Sequence, residues 1–184
     1  PLVVRDINDD GKDEVLIASM WNDPLLGDNV GRVEVYSAAD SPPVSYCTAK
    51  VTSCGTAPNI CASGTPSASA GSGFNVYSVG ARVGKTGVLL YTFQGRRTPP
   101  DPFQGGWMCL AAQVRRASSV TSLLGTANAC TSLFMLDMNA FAASRPPSHA
   151  LRTPGTTIDC QWWGRDTFAH GDFVSNALEY VVGP

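Results

Sequence analysis

TTIDCQWW, residues 156–163, sets the reading of this chain. β-Branched and aromatic residues dominate it, Pro154-Gly155 precede it and Gly164 follows it, which is the pattern of a short strand. Successive strand side chains face opposite sides. Trp162 and Trp163 therefore cannot both point into one core. Comparable runs lie at 73–79, 87–93, 113–120, 133–141 and 177–182, each bounded by Gly, Pro, Asn or Asp. Upstream, 2–4 and 15–18 read as short apolar strands, and GRVEVYS at 31–37 alternates with period two. No window holds a helical period beyond two turns, and Met138–Ala143 is the one candidate helical turn. Several short strands with turn signals between them predict an all-β protein with a sandwich of jelly-roll type. The Ser/Ala/Gly/Pro-rich stretch 55–73 reads as a long surface loop pinned by Cys54 and Cys61.

Composition agrees with this class. The chain has 184 residues with 18 Gly and 13 Pro, and charged residues are only 15%, against roughly 25% in a typical soluble domain. A formal net charge of −2 argues against a general nucleic-acid or polybasic membrane binder. No apolar run approaches the ~20 residues of a membrane helix. The charge is divided unevenly. Residues 1–40 hold nine acids and three bases, net −6, while residues 41–184 hold six acids and ten bases, net +4. With Asp40-Ser41-Pro42-Pro43 as a linker signal, the expected division is 1–42 and 43–184.

All six cysteines, Cys47, Cys54, Cys61, Cys109, Cys130 and Cys160, follow the acidic segment. Their spacing matches no common zinc pattern, so disulfides and an oxidising compartment are expected. Sequence proximity favours Cys47–Cys54 and Cys109–Cys130, leaving Cys61–Cys160.

The acidic segment contains DINDDGKDE, residues 6–14. Asp6, Asn8, Asp10 and Glu14 place side-chain oxygens at loop positions one, three, five and nine, and Gly11 permits a turn that presents the Lys12 carbonyl. Such a ring of oxygens suits Ca²⁺. Asp9 and Asp13 fall between these positions and point outward. An EF-hand would place Glu at position twelve before a helix. Here that position is Ile17, in a strand, so the expected site is a β-flanked calcium loop.

DINDDGKDEVLIAS followed by GRVEVYS resembles the integrin-type FG-GAP (VCBS-like) repeat, over roughly residues 1–39. The resemblance implies a blade of an extracellular β-propeller, with Asp6, Asn8, Asp10, the Lys12 carbonyl and Glu14 holding calcium. A single blade would need neighbours, either other chains or upstream repeats. YCTAK, SGTPSASAGSGF, LLYTFQGRR, PFQGGWMC, WWGRD and SNALEYVVGP resemble a module that follows such repeats in large secreted bacterial proteins. That implies a secreted or cell-surface location and a C-terminal position. The start at Pro1, without Met or a signal-peptide pattern, fits the same expectation.

Two readings attach to Trp162-Trp163-Gly164-Arg165-Asp166. In one, an aromatic platform with an Arg165–Asp166 clamp binds sugar. In the other, one Trp is core and the charges pair structurally. Trp107, in the aromatic turn 103–107, is a further candidate platform. Arg96-Arg97 and Arg115-Arg116 suit an anionic polysaccharide or a neighbouring chain, or else serve as solvated strand edges. His149 and His170 are the only histidines, and no nucleophile elbow, zinc-protease motif or phosphate loop occurs. The expected function is a non-enzymatic, calcium-stabilised structural or adhesive module, in a fibre or surface layer. A carbohydrate-binding module is the alternative, and a hydrolase using Asp159, Asp166 and His170 is the third reading.

Overall fold

The computed structural model describes residues 2–4, 14–22, 29–37, 42–122, 126 and 129–184. Strands make up 51% of the chain and helix 6%, so the expected all-β class is borne out. The chain divides into two compact units, Pro1–Asp40 and Ser41–Pro184.

In the first unit, β1 (Leu2–Val4), β2 (Glu14–Asn22) and β3 (Asn29–Ser37) form an antiparallel sheet in that order. Leu2 lies opposite Leu16, and Leu16 opposite Val35. Ile17 and Val33 are exposed. Asp6, Asn8, Asp10 and Lys12 lie outside the described residues, and Glu14 is the first residue of β2.

The second unit is the sandwich. Its strands are β4 (Val44–Tyr46), β5 (Asn59–Gly64), β6 (Phe74–Val79), β7 (Thr86–Thr92), β8 (Arg96–Phe103), β9 (Gly106–Leu110), β10 (Arg115–Thr121), β11 (Leu133–Asp137), β12 (Thr157–Arg165) and β13 (Asp172–Val181). A five-stranded sheet runs β10-β7-β12-β13-β4, and a three-stranded sheet runs β11-β6-β5. Between them Phe74, Phe134, Ile158, Trp162, Phe173 and Leu178 pack in one buried cluster. Alternation along β12 places Ile158, Cys160 and Trp162 in this cluster, with ring centroids of Phe134 and Trp162 5.7 Å apart. Gly87 and Gly164, paired across β7 and β12, make room for these rings. A Cβ on Gly87 would sit 2.7 Å from Phe134, and one on Gly164 2.5 Å from Phe173.

The opposite face of the five-stranded sheet is partly covered by a two-stranded ribbon, β8–β9. Val88, Leu90, Cys109, Leu110 and Ala177 form a second, smaller core there. Sequence reading did not find this ribbon. Prolines at 99, 100 and 102 argue against a strand, but β8 pairs only with β9, so their missing N–H groups interrupt no second ladder.

The stretch 55–73 is not wholly a loop. Within it β5 pairs with β6 because Ile60 and Ala62 alternate inward onto the core. The run 133–141 ends as a strand at Asp137, whose carboxylate accepts from the Ala140 and Gly73 backbone N–H groups. That cap starts the helix α1, Met138–Ala143.

The disulfides are Cys47–Cys109 and Cys54–Cys130, with Cys61 and Cys160 free. All three expected pairs are thereby corrected. From β4 the chain continues extended along β13: Tyr46 faces Ala177, the Lys50 N–H donates to the Val174 carbonyl, and Ser53 reaches Asp166. Between the bend at Cys47 and the turn at 52–55 the chain runs on past Val174 to Asp166, so Cys54 is carried well beyond the ~4.4–6.8 Å between Cα atoms that a disulfide needs. Cys47 therefore meets the ribbon and Cys54 meets the 129–132 segment. Cys160 points into the main core, whereas Cys61 lies between inward-facing Ile60 and Ala62 and so faces away.

Candidate functional site

The outer face of β12 carries Asp159, Gln161 and Trp163, each treated differently by the ribbon. Gln161 is fully buried and satisfied. It accepts from the Cys109 N–H at 3.2 Å and donates to the carbonyls of Trp107 (2.9 Å) and Ser175 (2.7 Å). It thus pins β9 onto the sheet.

Asp159 is also fully buried. Its Oδ1 accepts from the Tyr46 hydroxyl at 2.7 Å, while Oδ2 has no protein partner. The Arg96 guanidinium lies 4.3 Å from the centre of the Tyr46 ring and pairs with Glu179 at 2.9 Å. Burial pushes the Asp159 carboxyl above its ordinary range, the Tyr46 hydrogen bond opposing this only in part. The folded state then holds this proton more tightly than the unfolded state does. Asp159's contribution to stability is full below the ordinary carboxylate pKa and falls as pH rises through its raised value. We expect the melting temperature of Asp159→Asn, relative to wild type, to climb as pH rises from about 4 toward 7. A relative decline over that range, measured by calorimetry, would contradict the assignment.

Trp163 lies beyond the ribbon's cover. The tip of the ribbon stops beside it, with Phe103 and Trp163 ring centroids 6.3 Å apart at 60°. Lys50 fixes this tip: its ammonium donates to the carbonyls of Gln104 (2.8 Å), His170 (2.9 Å) and Asp172 (2.7 Å). Two turns are thus held to one cation. Trp163 Nε1 donates to Asp172 Oδ2 at 3.2 Å, and Arg165 Nη1 to Asp172 Oδ1 at 2.8 Å. Arg116 and Arg165 place their guanidinium carbons 5.7 and 5.5 Å from the Trp163 ring centre. Both are near the ~6 Å outer limit for cation–π attraction, so neither caps the ring tightly.

Strand register explains the gathering. Ser119 lies opposite Val88, and Val88 opposite Trp163; in the next row Arg116 lies opposite Leu90 and Leu90 opposite Gln161. These rows share the outer face. Two grooves flank the Trp163–Arg116 ridge. One, of about 390 Å³, is floored by Thr86, Gly87 and Val88 and walled by Ser119, Trp163 and Arg165. The other, of about 330 Å³, lies between Phe103, Gln104, Met108, Val114 and Trp163. Both fall at the small end of the ~300–1,000 Å³ range for ligand sites.

The other sequence candidates go elsewhere. Trp162 is fully buried core. Trp107 is 45% exposed beside Pro99, Pro100 and the Cys47 disulfide, away from Trp163. Asp166 is spent on Ser53, accepting from its N–H at 2.6 Å and its hydroxyl at 2.5 Å. Desolvation works to raise the Asp166 carboxyl, but these Ser53 bonds hold it below the usual range. The hydrolase grouping is not assembled. Asp159 and Asp166 stand about 23 Å apart along β12 by strand rise, and His170 Nδ1 bonds Thr167 Oγ1. Sequence reading missed Phe103 and Asp172 as companions of Trp163. Both join it through pairings far apart in the chain, which local pattern does not report.

The fold and site define a disulfide-bridged β-sandwich with a polar aromatic ledge on one uncovered sheet face. No family model, curated protein or solved structure matches the chain. Among the described residues no helix is long and apolar enough to cross a membrane.

Proposed function

We propose that the 41–184 unit is a carbohydrate-binding module through which an extracellular, adhesive protein attaches to a glycan surface. The observation that carries this reading is the half-buried Trp163, held by Asp172 and standing between two grooves on an open sheet face. A sugar ring offers an apolar C–H face and a rim of hydroxyls. An indole supplies stacking area for the first, while the backbone and side chains of Thr86, Ser119, Gln104 and Arg165 supply partners for the second. A pre-formed ledge suits binding because little ordering entropy is lost when a ligand settles. A glycan array probed with the 184-residue protein tests this. Binding to defined glycans that disappears in Trp163→Ala supports it; an array without any retained glycan refutes it.

Calcium at Asp6, Asn8, Asp10, Lys12 and Glu14 is the accompanying proposal for residues 1–40, supported by the spacing of oxygen ligands in the sequence. There the ion would stabilise a loop and take no part in chemistry. A chelator is expected to lower the melting temperature of the first unit, since an ion that binds only the folded state raises its stability. An unchanged thermogram in excess chelator would remove the ion from the account. The exposed Ile17 and Val33 on this small sheet fit a blade completed by neighbouring protein.

A further inference from the structure

We infer that the glycan recognised at Trp163 is acidic, its carboxylate or sulfate groups held by Arg116 and Arg165. This inference rests on the glycan reading above and adds the ligand's charge class to it.

All six carboxylates of the 41–184 unit are committed within the protein. Asp101 pairs with Arg97, Glu179 with Arg96, and Asp172 with Arg165 and Trp163. Asp137 caps α1, Asp159 takes the Tyr46 hydroxyl, and Asp166 takes Ser53. Ten bases stand against these six acids, a net of +4. Among the described residues the Arg116 guanidinium forms no ion pair and no hydrogen bond, and it lies over the Trp163 ring. Yet it lines both grooves, as Trp163 does.

Arg165 adds a second cation. It uses one guanidinium nitrogen on Asp172, its side chain is 65% exposed, and it lines the Thr86 groove. The two grooves beside Trp163 have no acidic residue in their lining; Thr86 and Arg165 also border a neighbouring hollow of about 580 Å³ that contains Lys85, Asp166 and Asp172, whose carboxylates are held by Ser53, Arg165 and Trp163. Two arginines flanking one indole give a site that stacks a sugar ring while presenting forked donors to an anionic substituent beside it. A neutral glycan would offer both guanidinium groups only hydroxyl oxygens, about half as strong as acceptors as a carboxylate or sulfate, whereas a plain polyanion would leave the ring unused. The pairing of indole with arginine is what favours an acidic saccharide over either.

Isothermal titration of the 184-residue protein at low salt separates these cases. The probes are a sulfated polysaccharide, a polyuronate, neutral dextran of similar length and inorganic polyphosphate. The expected result is binding to at least one acidic polysaccharide at least about tenfold tighter than to dextran or polyphosphate, and weakening with added salt. The sulfated and uronate arms identify the acidic group. Arg116→Ala should weaken acidic-glycan binding about tenfold or more at an unchanged melting temperature, while Arg116→Gln, which keeps the stem, should do the same. Dextran binding as tightly as the acidic probes would overturn the inference and leave the glycan reading intact. Polyphosphate binding as tightly as the acidic glycans would overturn it in favour of simple anion capture. Retention of no saccharide at all would overturn both.

Discussion

Trp162→Ala is expected to cost the sandwich about 3–5 kcal/mol, whereas Trp163→Ala leaves it folded and removes its ligand. The two residues are neighbours in sequence and chemically identical, so the contrast isolates position. Trp162 is fully buried between the two sheets, against Phe134, and it is among the largest fully buried side chains. Large-to-small core changes of this kind lose both transfer energy and the contacts around the cavity. At roughly 2–4 °C per kcal/mol for a unit of this size, the melting temperature should fall by on the order of 10 °C. Trp163 is only half-buried, and truncation removes one hydrogen bond to Asp172, the edge contact with Phe103, part of the packing on the smaller core and two distant guanidinium contacts. That loss is about 1–3 kcal/mol, less than that of a fully buried indole. Thermal denaturation of both variants checks this; equal destabilisation would mean that Trp163 is a packing residue.

Loss of the Cys54–Cys130 bridge is the second large effect. The bridge closes a separation of 76 residues, and its partner Cys47–Cys109 one of 62, the two loops overlapping along the chain. Chain-entropy arguments give roughly 4 kcal/mol for a loop of this length. Cys54 sits in the turn whose Ser53 holds Asp166, and Cys130 lies between segments bonded to Val83 and Ala81. Cys54→Ala with Cys130→Ala should therefore lower the melting temperature by roughly 8–16 °C. It should also loosen the Ser53–Asp166 contact at the end of β12. Peptide mapping of the unreduced protein should return Cys47–Cys109 and Cys54–Cys130, with Cys61 and Cys160 alkylated as thiols. A recovered Cys47–Cys54 peptide would contradict the structure.

Much of this was legible in the chain because strand alternation is local. Period two alone separates Trp162 from Trp163, and turn residues bound most of the strands. The all-β class followed from those signals. What was not legible depends on which strands meet. Pairing of neighbouring cysteines does not form because the chain between Cys47 and Cys54 follows β13 and separates them. The ribbon β8–β9 was hidden by prolines that an edge pairing tolerates. β5 was hidden by its Ser/Ala/Gly composition, since only Ile60 marks the inward face strongly. At the site, Trp163 and Arg165 stand in one phrase of the sequence, whereas Arg116 shows there only as half of a basic pair. Its place beside Trp163 comes from register across β10, β7 and β12, which no single segment encodes. Asp166, nominated as a ligand group, turned out to serve Ser53, and Asp172 took the role beside the indole.

In the proposed site Trp163, and no other tryptophan, meets the ligand. The four tryptophans, Trp21, Trp107, Trp162 and Trp163, give four indole N–H resonances in a ¹H–¹⁵N spectrum, each assignable by single substitution. On titration with an acidic oligosaccharide, the account predicts that the Trp163 resonance shifts progressively to saturation while those of Trp162 and Trp107 stay in place. A saturating shift at Trp107 with Trp163 unmoved would contradict it and place the binding face at Pro99, Pro100 and the Cys47 bridge instead.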